Sequence, residues 1–172
     1  VFTSLADPRG PFGGPGYWVL TPFATPPSGA IVLVNRGFVP DDRKGDYAPP
    51  PSGAQTIEGL IRAPETGSWL TPKPQPAGRI FFVRDPRQIN HTMKLTAGLD
   101  RPGYSMLMGF LIDLAASETP PGGLPQAGET PTVFPNSHLQ YAITWYGLAA
   151  ALLAVFGAFV MGRWRAASGP KA

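Results

Sequence analysis

The chain has 172 residues, enough for one folded domain and one further segment, with a formal net charge of +3. Arg163, Arg165 and Lys171 lie behind Gly162, which leaves 11 basic against 11 acidic residues before it and no clustered basic face of the kind a nucleic-acid binder needs. The absence of cysteine excludes disulfides, thiolate metal sites and a cysteine nucleophile, while 21 glycines and 22 prolines favour short strands joined by turns.

In chain order, residues 1–16 read as a Gly/Pro-rich loop, and residues 17–24 (YWVLTPFA) as a strand whose pairing Pro22 limits. Residues 25–29 (TPPSG) form a turn, and residues 30–39 (AIVLVNRGFV) are the strongest strand outside the C-terminal region. In that strand Val32 and Val34 point to one side, Leu33 and Asn35 to the other. Gly37 permits a bulge, and Pro40 ends the pairing. Arg36 is expected in a structural ion pair, with an anionic ligand group as the alternative. Residues 41–46 (DDRKGD) form a charged loop. Its three aspartates lack the spacing of a calcium site and have Arg43 and Lys44 among them.

Residues 55–62 (QTIEGLIR) and 78–84 (GRIFFVR) read as strands, with a proline-rich loop between them. Residues 85–93 read as a short helix with Asp85 as N-cap and Pro86 at the first helical position. Residues 104–114 (YSMLMGFLIDL) are a buried strand, with a helix as the alternative, and residues 120–135 a linker. The expectation is a mainly β (α+β) domain over 1–135, built as an antiparallel sheet or small barrel, with a neighbouring strand contributed from before Val1.

From Thr130 to Gly162 there is no Asp, Glu, Lys or Arg. Tyr141 to Met161 is almost unbroken in its apolar character, and such a helix is roughly 31 Å long, the thickness of a bilayer's hydrocarbon core. Arg163, Trp164 and Arg165 follow as an interfacial anchor. Residues 136–163 are therefore predicted to span a membrane, with residues 164–172 on the cytoplasmic or matrix side and the domain outside. A domain so placed needs an export signal or a first membrane helix ahead of Val1.

At 100° per residue, Gly147, Ala151, Ala154 and Ala158 fall on one side of this helix, a small-residue face that lets another helix approach closely. His138, Tyr141 and Trp145 head the opposite, bulky face. That face fits lipid contact with an aromatic belt and a polar entry residue. It also fits an axial haem ligand, His138, under aromatic cover. No phosphate loop, dinucleotide fingerprint, nucleophile elbow or metalloprotease motif is present. The two histidines lie about fifty residues apart, too far in sequence to form an evident acid–base cluster, so a non-enzymatic protein is expected.

Three stretches carry a family resemblance. Residues 16–23 and 31–40 (GYWVLTPF, IVLVNRGFVP), residues 55–65 (QTIEGLIRAPE) and residues 136–149 (NSHLQYAITWYGLA) resemble, in order and spacing, signatures of the Surfeit locus protein 1 family of cytochrome c oxidase assembly factors. Phe38 stands where the family prefers Trp, and residues 78–85 (GRIFFVRD) keep the aromatics and Asp85 of a further family segment without its tryptophans. The resemblance implies two membrane helices with a soluble domain between them, the first helix lying outside this chain. It implies a bacterial or mitochondrial inner membrane, with the domain on the periplasmic or intermembrane side. It further implies a chaperone-like role in placing haem a in the oxidase catalytic subunit, with His138 as the haem contact beside Tyr141 and Trp145. The rival expectation is a stable accessory subunit of a respiratory oxidase or supercomplex, without haem of its own. Either way the partners are that complex and membrane lipid.

Overall fold

A computed structural model describes residues 1–97, 106–132 and 136–167. The chain divides into two units, Val1–Thr130 and Pro131–Ala172.

The first unit is built on one five-stranded sheet. Its strands in chain order are β1 (Phe2–Leu5), β2 (Gly14–Thr25), β3 (Ala30–Pro40), β4 (Gly59–Arg62) and β5 (Leu107–Leu114), arranged β1-β2-β3-β5-β4. All pairs are antiparallel except β3 with β5, which is parallel. The sheet is therefore mixed and open, and this corrects the expectation of an antiparallel sheet or barrel. A parallel neighbour requires a long crossover, and the chain between β3 and β5 supplies one that carries both β4 and the helix α1 (Pro86–Met93).

β3 lies at the centre because every one of its residues is buried. Val32 and Val34 pack with Leu114 and Ala127 on one face, while Leu33 packs with Phe81, Ile89 and Leu111 on the other, as the alternation predicts. Full burial of one such side chain contributes about 1.5–3 kcal/mol, against about 1 kcal/mol net for a strand hydrogen bond. Packing on two faces, more than the ladder, thus fixes the strand's central place. The bulge expected at Gly37 is present. Trp18 faces Phe38 and Leu20 faces Asn35, so Arg36 and Gly37 together oppose Val19.

Gly37 has φ +132°, and a Cβ there would stand 2.3 Å from the carbonyl oxygen of Gln126. The close approach serves a backbone pairing in which Phe38 and Gln126 exchange both hydrogen bonds at 2.8 Å. The segment read as a linker is thus partly core, since Leu124, Gln126, Ala127 and Glu129 are all buried.

Three further expectations change. Residues 2–5 form β1 instead of loop, held against β2 by ladder pairing and an edge-on contact of Phe2 with Tyr17 at 5.6 Å. The ladder covers only Gly59–Arg62 of residues 55–62, because β5 ends at Leu114 opposite Gly59, with one further bond from the Ala115 N–H to the Glu58 carbonyl. Residues 78–84 make no strand. Pro76–Gly78 is a 3₁₀ turn and Arg79 is left-handed at φ 53°, which breaks the extended run before it can build a ladder. Phe81 and Val83 are nonetheless buried, so the alternation there reports burial without a ladder, with only the Gln75–Ile80 bridge and a bond from the Phe2 N–H to the Phe81 carbonyl.

α1 begins as predicted, with the Asp85 carboxylate accepting from the Arg87 N–H at 2.9 Å and Pro86 in the first turn. β5 begins at Leu107, and residues 104 and 105 of the predicted strand lie outside the described residues. In the second unit, α2 (His138–Ala167) is an uninterrupted helix, long and apolar enough to cross a membrane. Residues 168–172 of the predicted tail lie outside the described residues.

Candidate functional site

His138 is the first residue of α2. The preceding turn is closed by Asn136, whose side-chain oxygen accepts the His138 backbone N–H at 3.3 Å. The first helical bond runs from the Tyr141 N–H to the Ser137 carbonyl at 3.0 Å. The His138 imidazole is thereby left free of capping duty and exposed at the helix mouth. Tyr141 and Trp145 follow at three and seven residues, which places them on the same face, 67% and 66% exposed.

Gly147, Ala151, Ala154 and Ala158 occupy the opposite face and are also exposed, and beyond the local helix backbone nothing lies within 4 Å of where a Gly147 Cβ would stand. Gln140 and Thr144 continue that smooth face toward the helix start, with the Thr144 hydroxyl donating to the Gln140 carbonyl at 2.9 Å. These two polar residues share the 100° phase of the small residues, so helical periodicity alone places them on this face.

For haem, the arrangement offers one nitrogen donor, His138, with Tyr141 and Trp145 on the same helix face, which would suit one protein ligand to the iron. A lone helix face cannot enclose a macrocycle, so the remaining walls and any second ligand would come from outside this helix. Among the described residues no cluster of His, Asp or Glu could hold a bare metal ion.

The sheet domain holds a second polar centre, which sequence reasoning did not assemble. Asp113, 3% exposed, accepts hydrogen bonds from Asn35 Nδ2 at 3.0 Å, from the Thr130 hydroxyl at 2.6 Å and from Arg62 Nε. The Arg84 guanidinium lies 3.8 Å from the same carboxylate. It is shared with Glu65, which accepts from Arg84 Nε at 2.7 Å and from the Arg84 backbone N–H at 2.9 Å, and with the Trp18 ring at 5.3 Å. Burial pushes the Asp113 carboxyl up, but the hydrogen bonds from Thr130, Arg62 and Asn35 more than offset it and leave it below its ordinary range. Glu65 behaves alike: burial raises it, and its bonds to Arg84 bring it lower.

Asn35, Arg62 and Glu65 all belong to stretches singled out above, and the fold brings them together on Asp113 and Arg84. No buried side-chain nitrogen or oxygen among the described residues lacks a partner. Its buried polar atoms are thus paired within the chain, as a structural network requires.

Arg36 departs from expectation. It makes no ion pair among the described residues, and instead donates to the carbonyls of Ala48 and Pro49 at 3.0 Å each, holding the loop after β3. Burial lowers its pKa, and neutral carbonyls satisfy its fork without requiring an acid in the core. Asp41, Asp42 and Asp46 are exposed, and Asp46 pairs with Arg43 at 2.7 Å, in keeping with a solvated loop. A cavity of about 560 Å³ beside β2 is lined by Leu20, Leu33, Phe81, Ile89 and Met93 among others, and contains none of the predicted site residues.

A model of the SURF1 family matches residues 3–150. A SURF1-like protein of Monosiga brevicollis is 33% identical over 159 residues, which cover 91% of this chain and 55% of that protein. Surfeit locus protein 1 of Xenopus tropicalis and that of Homo sapiens are each 34% identical, over 79% of this chain and 41% and 42% of their own lengths. The chain thus spans about half the length, or less, of these curated relatives. No solved structure is significantly similar to it.

Proposed function

Because the chain belongs to the SURF1 family, we propose that it is a membrane-anchored, non-enzymatic assembly factor for cytochrome c oxidase. In this reading it assists haem a insertion into the catalytic subunit, or that subunit's stability. α2 crosses the bacterial or mitochondrial inner membrane with Arg163 and Arg165 on the cytoplasmic or matrix side. His138 then sits at the outer boundary, where its imidazole supplies a nitrogen ligand to haem iron. Tyr141 and Trp145 cover the macrocycle edge, and Gly147, Ala151, Ala154 and Ala158 take a neighbouring helix. The single observation that carries this reading is the family match, which runs through the His138 mouth and into α2 up to residue 150.

The test is made in cells and in detergent. Purified chain supplied with haem a should give a bound-haem spectrum that His138→Ala removes. Oxidase from cells carrying His138→Ala should contain several-fold less haem a. An unchanged spectrum together with unchanged oxidase haem content would refute the haem role.

A second reading starts from the small-residue face, whose residue types suit close packing against a neighbouring helix. In it the protein is a permanent accessory subunit of an oxidase or supercomplex, with no haem of its own. Stoichiometric recovery with mature, fully haem-loaded oxidase supports that reading, whereas recovery only with immature oxidase supports the assembly factor.

A further inference from the structure

Among the described residues of the sheet domain, the most exposed large apolar side chain lies far from α2 in sequence. Trp69 is 90% exposed and Leu70 69%, at the tip of a turn over Ser68 to Thr71. That turn is braced. The Thr71 N–H donates to the Ser68 carbonyl at 3.0 Å, the Ser68 N–H to the Thr71 hydroxyl at 2.8 Å, and the Leu70 N–H to the Ser68 hydroxyl at 3.3 Å. Central turn positions favour Gly, Pro, Asn, Asp and Ser, so two large apolar side chains there are not explained by turn geometry.

The loop is also rooted at both ends. Glu65 and Arg84 exchange backbone and side-chain hydrogen bonds at one end, and Gln75 pairs with Ile80 at the other. From Thr66 to Arg79 the chain carries two cations, Lys73 and Arg79, and no acid. A braced tip of tryptophan and leucine in a loop with two cations and no acid matches the bilayer interface: the indole ring prefers headgroup level and the cations prefer anionic lipid. Seven residues separate Thr130, held by Asp113, from His138, about 25 Å at full extension. A bilayer spanned by α2 is therefore within the domain's reach.

We propose that the Ser68–Thr71 turn inserts Trp69 and Leu70 into the headgroup region of an anionic bilayer, giving the domain a second membrane contact besides α2. The proposal rests on the reading of α2 as a membrane span. The occupant is lipid: a braced two-residue tip suits insertion, and its cations suit anionic headgroups.

The test uses the full chain in vesicles of phosphatidylcholine and phosphatidylglycerol, with plain or brominated acyl chains as quencher. Subtracting the emission of Trp69→Phe isolates Trp69, and a further subtraction of Trp145→Phe with Trp164→Phe separates the span from Trp18 of the sheet. The expected result is loss of at least half the Trp69 signal in brominated vesicles, and at least two-fold weaker quenching in phosphatidylcholine alone. Quenching of the α2 tryptophans with no change at Trp69 overturns the proposal and leaves the span intact. No quenching of any tryptophan overturns both. A Trp69 signal that shifts only when purified oxidase is added assigns the tip to a protein surface and also overturns the proposal. Equal quenching without phosphatidylglycerol overturns the anionic preference.

Discussion

Asp113 and His138 are polar residues in opposite situations. Asp113 is buried and receives hydrogen bonds from Asn35, Arg62 and Thr130, which come from three separate parts of the chain. The His138 side chain is exposed at the mouth of α2, and only its backbone N–H is engaged, by Asn136. The same contrast holds for glycine. Gly37 is pressed against the Gln126 carbonyl, whereas Gly147 faces open space. In the sheet domain, contacts within the chain explain why a residue type is needed. On α2 they explain little, so the residue types there answer to lipid or to a partner.

Substitutions can break this contrast. The largest effect is expected for Asp113→Ala, which leaves Arg62, Asn35 and Thr130 without their acceptor. Removing one side of a buried ionic network costs about 3–5 kcal/mol, read as a shift in denaturant midpoint for the full chain in micelles. Under the same conditions His138→Ala should stay within about 0.5 kcal/mol; a comparable loss there would mean that the helix mouth has a hidden structural duty.

Gly37→Ala comes next, at about 1–3 kcal/mol, because the left-handed backbone and the Gln126 carbonyl both oppose a Cβ. Gly147→Ala should leave the midpoint unchanged.

Acid sharpens the comparison further. Asp113 and Glu65 have folded-state pKa values below their ordinary ones. As pH falls past the ordinary carboxylate range near about 4, the unfolded chain takes up protons first. The stability present above that range is then lost as pH drops through the depressed folded values. Melting temperature should fall steeply below about pH 4, and Asp113→Asn should flatten that slope. The smallest change in domain stability, within about 0.5 kcal/mol, is expected for Gly147→Leu with Ala151→Leu. In the proposed role these two should still abolish co-purification with the oxidase.

Much of the fold was legible where the signal is local. The unbroken apolar run of β3 and its Asn-Arg-Gly ending gave both the two-sided burial and the bulge. Asp85-Pro86 gave the start of α1, and the uncharged run gave α2. What was not legible depends on distant partners. The aliphatic run of β3 looks the same whether its neighbour is parallel or antiparallel. Residues 78–84 alternate like a strand because Phe81 and Val83 are buried, yet no neighbouring strand offers them a ladder. The Asp113 network joins residues far apart in sequence, and no spacing rule connects Asn35, Arg62 and Thr130. On α2 the two faces follow from helical periodicity alone.

The parallel pairing of β3 with β5 has a kinetic consequence. β2 and β3 are joined by a short turn, with Thr25 opposite Ala30, whereas Asn35 and Asp113 lie 78 positions apart. A hairpin forms in about 1–10 μs, but sheets that wait on distant strands assemble in roughly milliseconds to seconds. During that wait one edge of β3, an aliphatic run with unpaired amides, is open to other copies of the chain. Yield lost to aggregation should therefore follow substitutions that delay the docking of β5, Leu111→Ala among them, more closely than it follows equilibrium stability.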